Sequence, residues 1–313
     1  MHLLLVGPGA LGCLLATIIS RGIAATGDRL TLLDYNPQRA AQLAANGIHY
    51  VRGDEERTVP IFATSDPLAV APVDVVVLCV KSYDVAASLA SCAPLLTQRT
   101  LVLFLQNGIG HLDAHDSLGE ACAAFGTTTE GATLLAPGRV RHAGSGITSL
   151  GFLGQSPPHM QQLLEKTRAV FSAGSLAVHA SEAVLDRIWA KLFINVGINA
   201  LTATLDCKNG ELLTLPGAEA RMKRAVVEAR QVAAAEGIAV EDDPFLATKA
   251  VCAATAENVS SMLQDVRKNR RTEIDAINGA IVAKGLSHRI KTPENALLSR
   301  QVREIEARYA ATR

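Results

Sequence analysis

The chain has 313 residues, 49% apolar and 19% charged, and its 30 basic and 30 acidic residues give a formal net charge of zero. That length suits two domains, and balanced charge with only 4% aromatics argues against nucleic acid or an anionic membrane as the main partner. Its six cysteines (Cys13, Cys79, Cys92, Cys122, Cys207, Cys252) form no C-x-x-C pair, and three lie in or beside apolar runs, as reduced thiols of a cytoplasmic protein do.

The chain opens on "MHLLLVGPGALG", which has no basic n-region and an apolar run too short for a signal peptide. No stretch is expected to supply the ~20 apolar residues of a membrane-spanning helix. Strands are predicted at 3–6, 29–34, 73–80 and 100–106, with weaker candidates at 121–128 and 146–153. Runs such as "VVVLCV", apolar without alternation, suit strands covered on both faces of a parallel sheet. Helical segments lie between them. "PQRAAQLAANG" has Asn36 as N-cap, Pro37 at its first position and Gly47 past its end. From about Glu182 the pattern turns helical, in "AVLDRIWAKLFINVGINALTATL", "GAEARMKRAVVEARQVAAAEG", "PFLATKAVCAATAENVSSMLQDV" and "PENALLSRQVREIEARYA". The expectation is a doubly wound α/β Rossmann-type domain over 1–180 and an all-α domain over 181–313.

Gly7, Gly9 and Gly12 in "GPGALG" form G-x-G-x-x-G between a strand and a helix, the context that makes this pattern a dinucleotide fingerprint. The first glycine permits the turn, the second lets the backbone approach a pyrophosphate, and the third lets the helix pack on the sheet. Pro8, Ala10 and Leu11 complete the loop and open the helix N-terminus that would face the phosphates. Asp34 ends the second strand, 22 residues beyond Gly12, where an acid accepts from the ribose hydroxyls of NAD. Arg39, five residues on, could meet a 2′-phosphate, and a helix-flanking role for Asp34 also stands.

Lys191, Asn195 and Asn199 recur every four residues, so they share one stripe of an otherwise apolar helix. A solvated stripe is one reading. Asparagine, however, is a weak former for an exposed helix face, which favours a stripe that grips a polar ligand. Asn107 follows a strand as an Asn-Gly turn or a ligand contact, and Lys81 follows another. The histidines give no metal spacing (His111 and His115 come closest), and no G-x-S-x-G elbow supports a hydrolase.

"GPGALG", "CVKSYD", "QNGIG", "GTTTEGA", "GRVRHAGSGIT", "WAKLFINVGINALTA", "NGEL", "ENVSSMLQD", "RTEIDAING" and "TPEN" together resemble the ketopantoate reductase (2-dehydropantoate 2-reductase) family, over nearly the whole chain. The resemblance implies reduction of 2-dehydropantoate to pantoate with NADPH, in pantothenate biosynthesis. It implies a Rossmann domain followed by a helical domain like the C-terminal one of 6-phosphogluconate dehydrogenase, with the active site in the cleft between them. It implies Lys191 as general acid, Glu273 as the carboxylate that holds the substrate's polar groups, and Asn195, Asn199, Asn209 and Ser261 as substrate contacts. Asn107 would touch cofactor and substrate, with Lys81 and the Ala132 backbone on the cofactor side. Family members often carry Arg near the end of the second strand. "LLDYNPQR" has Asp34 there, which favours NADH as the alternative cofactor.

Two other readings stand beside it: a related NAD(P)-dependent 2-keto or 2-hydroxy-acid oxidoreductase, and a non-catalytic dinucleotide-sensing module. A monomer or homodimer acting on a small keto acid, without metal, is expected. In "ENVSSMLQDVRKNRRTEIDAING" the apolar positions before and after "KNRR" do not share one stripe. A break is predicted there, with solvated bases, Thr272 as N-cap and Glu273 in the first turn of a new helix.

Overall fold

The computed structural model describes residues 1–310 except 25, 71 and 241, with the side chains of residues 115 and 310 also outside the described set. The chain divides into two compact units, Met1–Gln106 with His111–Val184, and Asn107–Gly110 with Leu185–Arg313.

The first unit holds strands β1 (His2–Val6), β2 (Arg29–Leu33), β3 (Ile48–Arg52), β4 (Glu55–Val59), β5 (Phe62–Thr64) and β6 (Val75–Leu78). It continues with β7 (Leu101–Phe104), β8 (Cys122–Thr128), β9 (Gly131–Ala136), β10 (Arg139–Gly144), β11 (Thr148–Gly151) and β12 (Val178–Ala180). Eight strands form one sheet in the order β12-β11-β8-β7-β6-β1-β2-β5. Its pairings are parallel except β8 with β11. Every residue of β1, β6 and β7 is buried, which is why these runs are apolar without alternation. Helices α1 (Ala10–Ile23), α2 (Pro37–Asn46), α3 (Val85–Cys92) and α4 (Pro158–Ala173) accompany the sheet. The α2 caps are as expected: Asn36 accepts from the Arg39 amide at 2.9 Å, and Gly47 ends the helix at φ 70°.

Because β1 lies between β2 and β6, the chain leaves it toward one side and later returns on the other. That reversal is the topological switch point where open α/β sheets bind ligands. A second, four-stranded sheet, β4-β3-β10-β9, was not expected from the sequence. Three of its strands bury little: only Val140 of β10 is buried, and β4 and β9 have no buried residue, whereas β3 buries Ile48, Tyr50 and Val51. The hydrophobic signal that reveals a strand is therefore weak in those three.

The second unit is helical: α5 (Val184–Leu205), α6 (Ala218–Ala235), α7 (Pro244–Ala254), α8 (Ser261–Arg267), α9 (Asn278–Ser287) and α10 (Pro293–Ala310). Contrary to the sequence expectation, α5 is long and apolar enough by composition to cross a membrane, but 67% of its apolar window is buried inside the protein. The segment expected as one helix from residue 244 to 266 is two, because residues 255–260 leave the helix. There the carbonyls of Ala256 and Asn258 accept from the amides of Gly210 and Asn209, and the Ser260 side chain caps α8 by accepting from the Leu263 amide at 3.1 Å.

The break near "KNRR" is present, with Asn269 left-handed at φ 51° and residues 267–271 exposed. The next helix does not start at Thr272, however. The Thr272 hydroxyl accepts from the Ile274 amide at 3.2 Å, but Glu273 lies in an irregular turn and α9 starts at Asn278. The Ala276 carbonyl is used by the Ile109 amide at 3.0 Å, which fits a turn held against the 107–110 segment rather than a helix start.

Candidate active site

The turn after β1 carries the glycine fingerprint. A Cβ on Gly12 would lie 2.0 Å from the Gly7 carbonyl oxygen, so only glycine lets α1 start this close to the strand end. A Cβ on Gly9 would meet nothing within 4 Å, and α1 has no side-chain cap. The first amides of α1 therefore stand uncapped beside open space, a cradle that suits the pyrophosphate of a dinucleotide. Gln106, buried after β7, donates to the carbonyls of Leu78 at 2.9 Å and Val80 at 3.3 Å. It thereby fixes Val80, against which Gly7 packs. The sequence reading missed Gln106; its signal was a lone amide closing an apolar strand.

In the helical unit, Lys191 donates from Nζ to Asn107 Oδ1 at 2.8 Å, and Asn107 donates from Nδ2 to Glu273 Oε2 at 3.2 Å. An ammonium can only donate and a carboxylate only accept, so this arrangement fixes which way the Asn107 amide points. Glu273 is buried, and burial pulls the Lys191 ammonium down to about 8, with the Glu273 carboxylate opposing that fall. Lys191 is thus mainly charged at neutral pH yet able to release its proton readily. Asn107 reaches this position through Gly108, whose φ is +78° and whose Cβ would lie 2.1 Å from the Ala276 carbonyl oxygen.

Two family models match the chain: ketopantoate reductase PanE/ApbA over residues 3–155, and its C-terminal region over residues 183–306. A 2-dehydropantoate 2-reductase of Halobacterium salinarum is 36% identical, with 97% of this chain and 98% of the relative covered. The chain belongs to the ketopantoate reductase family. A 2-dehydropantoate 2-reductase of Vibrio cholerae is 31% identical, with 99% of each chain covered. Among solved structures, a PanE/ApbA family ketopantoate reductase from Ralstonia eutropha superposes with a TM-score of 0.88 at 33% identity, covering 98% of this chain and 99% of that one. A D-mandelate dehydrogenase in a ternary complex with NADH and anilino(oxo)acetate also reaches 0.88, at 27% identity, with 98% and 99% covered.

This ketopantoate reductase family chain keeps the Asn195 and Asn199 stripe on α5. Gly197, on the opposite side of the helix, packs against Met222 and Val226 of α6 and Thr248 of α7. Asn199 is buried, and the Asn195 Nδ2 is a buried donor with no partner among the described residues. Asn209 is also buried: its Nδ2 donates to Thr255 Oγ1 at 2.9 Å, and its Oδ1 has no partner among the described residues. Ser261 is exposed, in the first turn of α8. Its buried neighbour Ser260 is the residue that caps the helix and hydrogen-bonds Thr202 at 2.7 Å.

Lys81 and Ala132 belong to the sheet unit. Lys81 precedes the turn at 82–84 and is half-buried, and Ala132 sits in β9 opposite His142. Asp34, after β2, has a side chain with no exposure. Both of its oxygens accept from the Arg39 guanidinium, and one also accepts from the Asn36 amide at 3.1 Å. Arg39 is 30% exposed and lies over the ring of Tyr35, which is 83% exposed. His111 packs on Phe104 and Phe125, while the side chain of His115 lies outside the described residues. The six cysteines are free, and burial pushes the Cys13 thiol up to about 12, where it is inert as a nucleophile.

Proposed function

We propose that this chain reduces 2-dehydropantoate to pantoate with a nicotinamide coenzyme, as a cytoplasmic enzyme in which nucleic acid and membrane have no part. The observation that carries the reading is the Lys191–Asn107–Glu273 hydrogen-bonded chain, with its ammonium pulled down to about 8. The coenzyme, when bound, supplies the hydride, and the residues of this chain supply position and the proton. Lys191 stabilises the charge that develops on the carbonyl oxygen and then protonates it. Asn107 holds the Lys191 ammonium in one place. Glu273 keeps that ammonium charged and accepts from the substrate's polar groups. Asn195, Asn199, Asn209 and Ser261 bind the substrate without adding charge, and the unpartnered Nδ2 of Asn195 suits an anionic or hydroxyl oxygen.

Gly7, Pro8, Gly9, Ala10, Leu11, Gly12, Lys81 and Ala132 hold the coenzyme. For its identity we favour NADPH over NADH. Asp34 has its carboxylate saturated by Arg39, so the group on offer beyond β2 is a guanidinium rather than a free acid. A guanidinium accommodates a 2′-phosphate that a bare Asp34 would repel. The expected result for Arg39→Ala is a fall of about tenfold or more in kcat/KM with NADPH relative to NADH, the effect of one lost charge-assisted hydrogen bond. Steady-state kinetics with both coenzymes measures it, and an unchanged preference would remove Arg39 from this role.

A second reading, another 2-keto acid as substrate, is favoured by the likeness to D-mandelate dehydrogenase, as high in TM-score as that to the ketopantoate reductase. Kinetics with a panel of 2-keto acids decides between them. The first reading expects 2-dehydropantoate to have the highest kcat/KM, and a better substrate among the others would give the second.

A further inference from the structure

One buried carboxylate, that of Glu228, has no part in the chemistry above. Its two oxygens accept from the Glu294 amide at 2.8 Å, the Asn295 amide at 3.0 Å and Asn295 Nδ2 at 2.8 Å. The negative charge thus sits at the N-terminus of α10, where the helix dipole favours it. Asn295 Nδ2 also donates to the Ala225 carbonyl at 3.0 Å, so its Oδ1 must point the other way. There it accepts from Asn278 Nδ2 at 3.0 Å, and Asn278 Nδ2 donates as well to the Val196 carbonyl at 3.2 Å. Asn278 and Asn295 are both fully buried. Each amide faces acceptors whose nature is fixed, so donor and acceptor roles are set throughout the network that links Glu228 on α6 through α10 and the start of α9 to α5, with Asn278 donating to both sides.

Its two ends explain why it matters. Asn278 closes the irregular turn that starts at Glu273, and Val196 is next to Asn195 on the helix that carries Lys191. The hydrogen bonds made inside that turn are short-range: Ala276 and Ile277 amides to the Glu273 carbonyl, and the Gly279 amide to the Ile274 carbonyl. They shape the turn without fixing where it sits. The Asn278–Val196 bond ties it directly to α5, while the Ile109 amide on the Ala276 carbonyl ties it to the Asn107 segment.

We propose that Asn278, held by Asn295 and Glu228, is a positioning residue that keeps the Glu273 turn in register with Lys191 and Asn107. The proposal rests on the reading of Lys191 and Glu273 given above. Asn278 touches neither substrate nor coenzyme and acts through where Glu273 stands. The Thr272 amide on Glu306 Oε1 at 2.6 Å and Arg303 on Asp275 Oδ1 at 2.6 Å tie the turn to α10 as well. Shortening Asn278 therefore removes its direct bond to α5, and Glu273 then shifts relative to Lys191, weakening its hold on Asn107 and its opposition to the effect of burial.

The test is the pH profile of kcat/KM for 2-dehydropantoate reduction in the full chain, for the parent, Asn278→Ser and Glu228→Gln. Lys191→Ala and the core variant Leu298→Ala serve as controls. Asn278→Ser is expected to lower kcat about tenfold, to leave the KM for coenzyme within about twofold, and to move the alkaline limb to lower pH, because Lys191 then loses its proton earlier. Glu228→Gln, which keeps shape and one acceptor, moves the limb the same way by less. Leu298→Ala, a buried residue of α10, lowers the melting temperature without moving the limb. If Asn278→Ser does not fold, Glu228→Gln decides by the same criterion. A parental limb and a kcat within about twofold in a folded variant overturn the positioning role. Near-normal turnover in Lys191→Ala overturns instead the reading on which it rests.

Discussion

Lys191→Ala is expected to lower kcat for 2-dehydropantoate reduction by roughly 10²-fold or more, the usual cost of losing a general acid, with the KM for coenzyme little changed. The reason is local. The Lys191 ammonium is held at 2.8 Å by Asn107 and brought down to about 8 by burial, against the pull of Glu273. A proton donor poised near neutral pH works without a large energetic penalty in either protonation state. Lys191→Arg should not rescue it, because a guanidinium does not give up its proton in this range. Single-turnover rates with saturating substrate measure the loss. Turnover within about threefold of the parent would remove Lys191 from the chemistry.

Gly108→Ala should disturb both stability and activity. At φ +78° an L-residue is strained, and the added Cβ would lie 2.1 Å from the Ala276 carbonyl oxygen, which as backbone cannot simply rotate away. Together these should cost about 2 kcal/mol or more of stability, read as a lower midpoint in denaturant unfolding. Activity falls with it, because moving residue 108 moves Asn107, the amide that links Lys191 to Glu273. A variant with parental stability and parental kcat would show that Asn107 does not need this backbone position. The outcome also separates two roles of the "NG" pair: an ordinary surface turn tolerates alanine at a modest cost, and this one should not.

The central parts of this fold could be read from the sequence because they rest on strong, local signals. The buried strands β1, β6 and β7 appear as apolar runs, the α2 caps as Asn36, Pro37 and Gly47, and the tight turn from β1 into α1 as three glycines after a strand. The second sheet did not appear, because β4, β9 and β10 have at most one buried residue each and a hydrophobic pattern has little to report there, and β3, with three of its five residues buried, is a single short run. The segment from 255 to 260 and the turn at 273–277 were misread for a different reason. What interrupts or delays the helix is a contact made from far along the chain: Asn209 and Gly210 in one case, Ile109 in the other.

The same distinction holds for the site. The spacing of Lys191, Asn195 and Asn199 suggests one polar stripe, the end of a strand offers Asn107 as a turn or a ligand contact, and the resemblance supplies Glu273 and a role for Asn107. That Asn107 bridges the other two is a fact of three dimensions, between residues separated in sequence by 84 and 166 positions. Asp34 shows the limit most clearly. On the sequence it is an acid at the ribose position, whereas in the structure its charge is saturated by Arg39, five residues away in the first turn of α2. Reading an acid's role from its position alone leaves out the partner that neutralises it.

The most direct test of the central claim is the pH dependence of kcat/KM for 2-dehydropantoate reduction by the parent chain. With Lys191 as the acid, activity is present while the ammonium is protonated and is lost as pH rises through its pKa, so the profile should be level at neutral pH and fall with a single ionisation near 8. A profile that stays level well into the alkaline range, or the absence of turnover with 2-dehydropantoate and either coenzyme, would contradict the account.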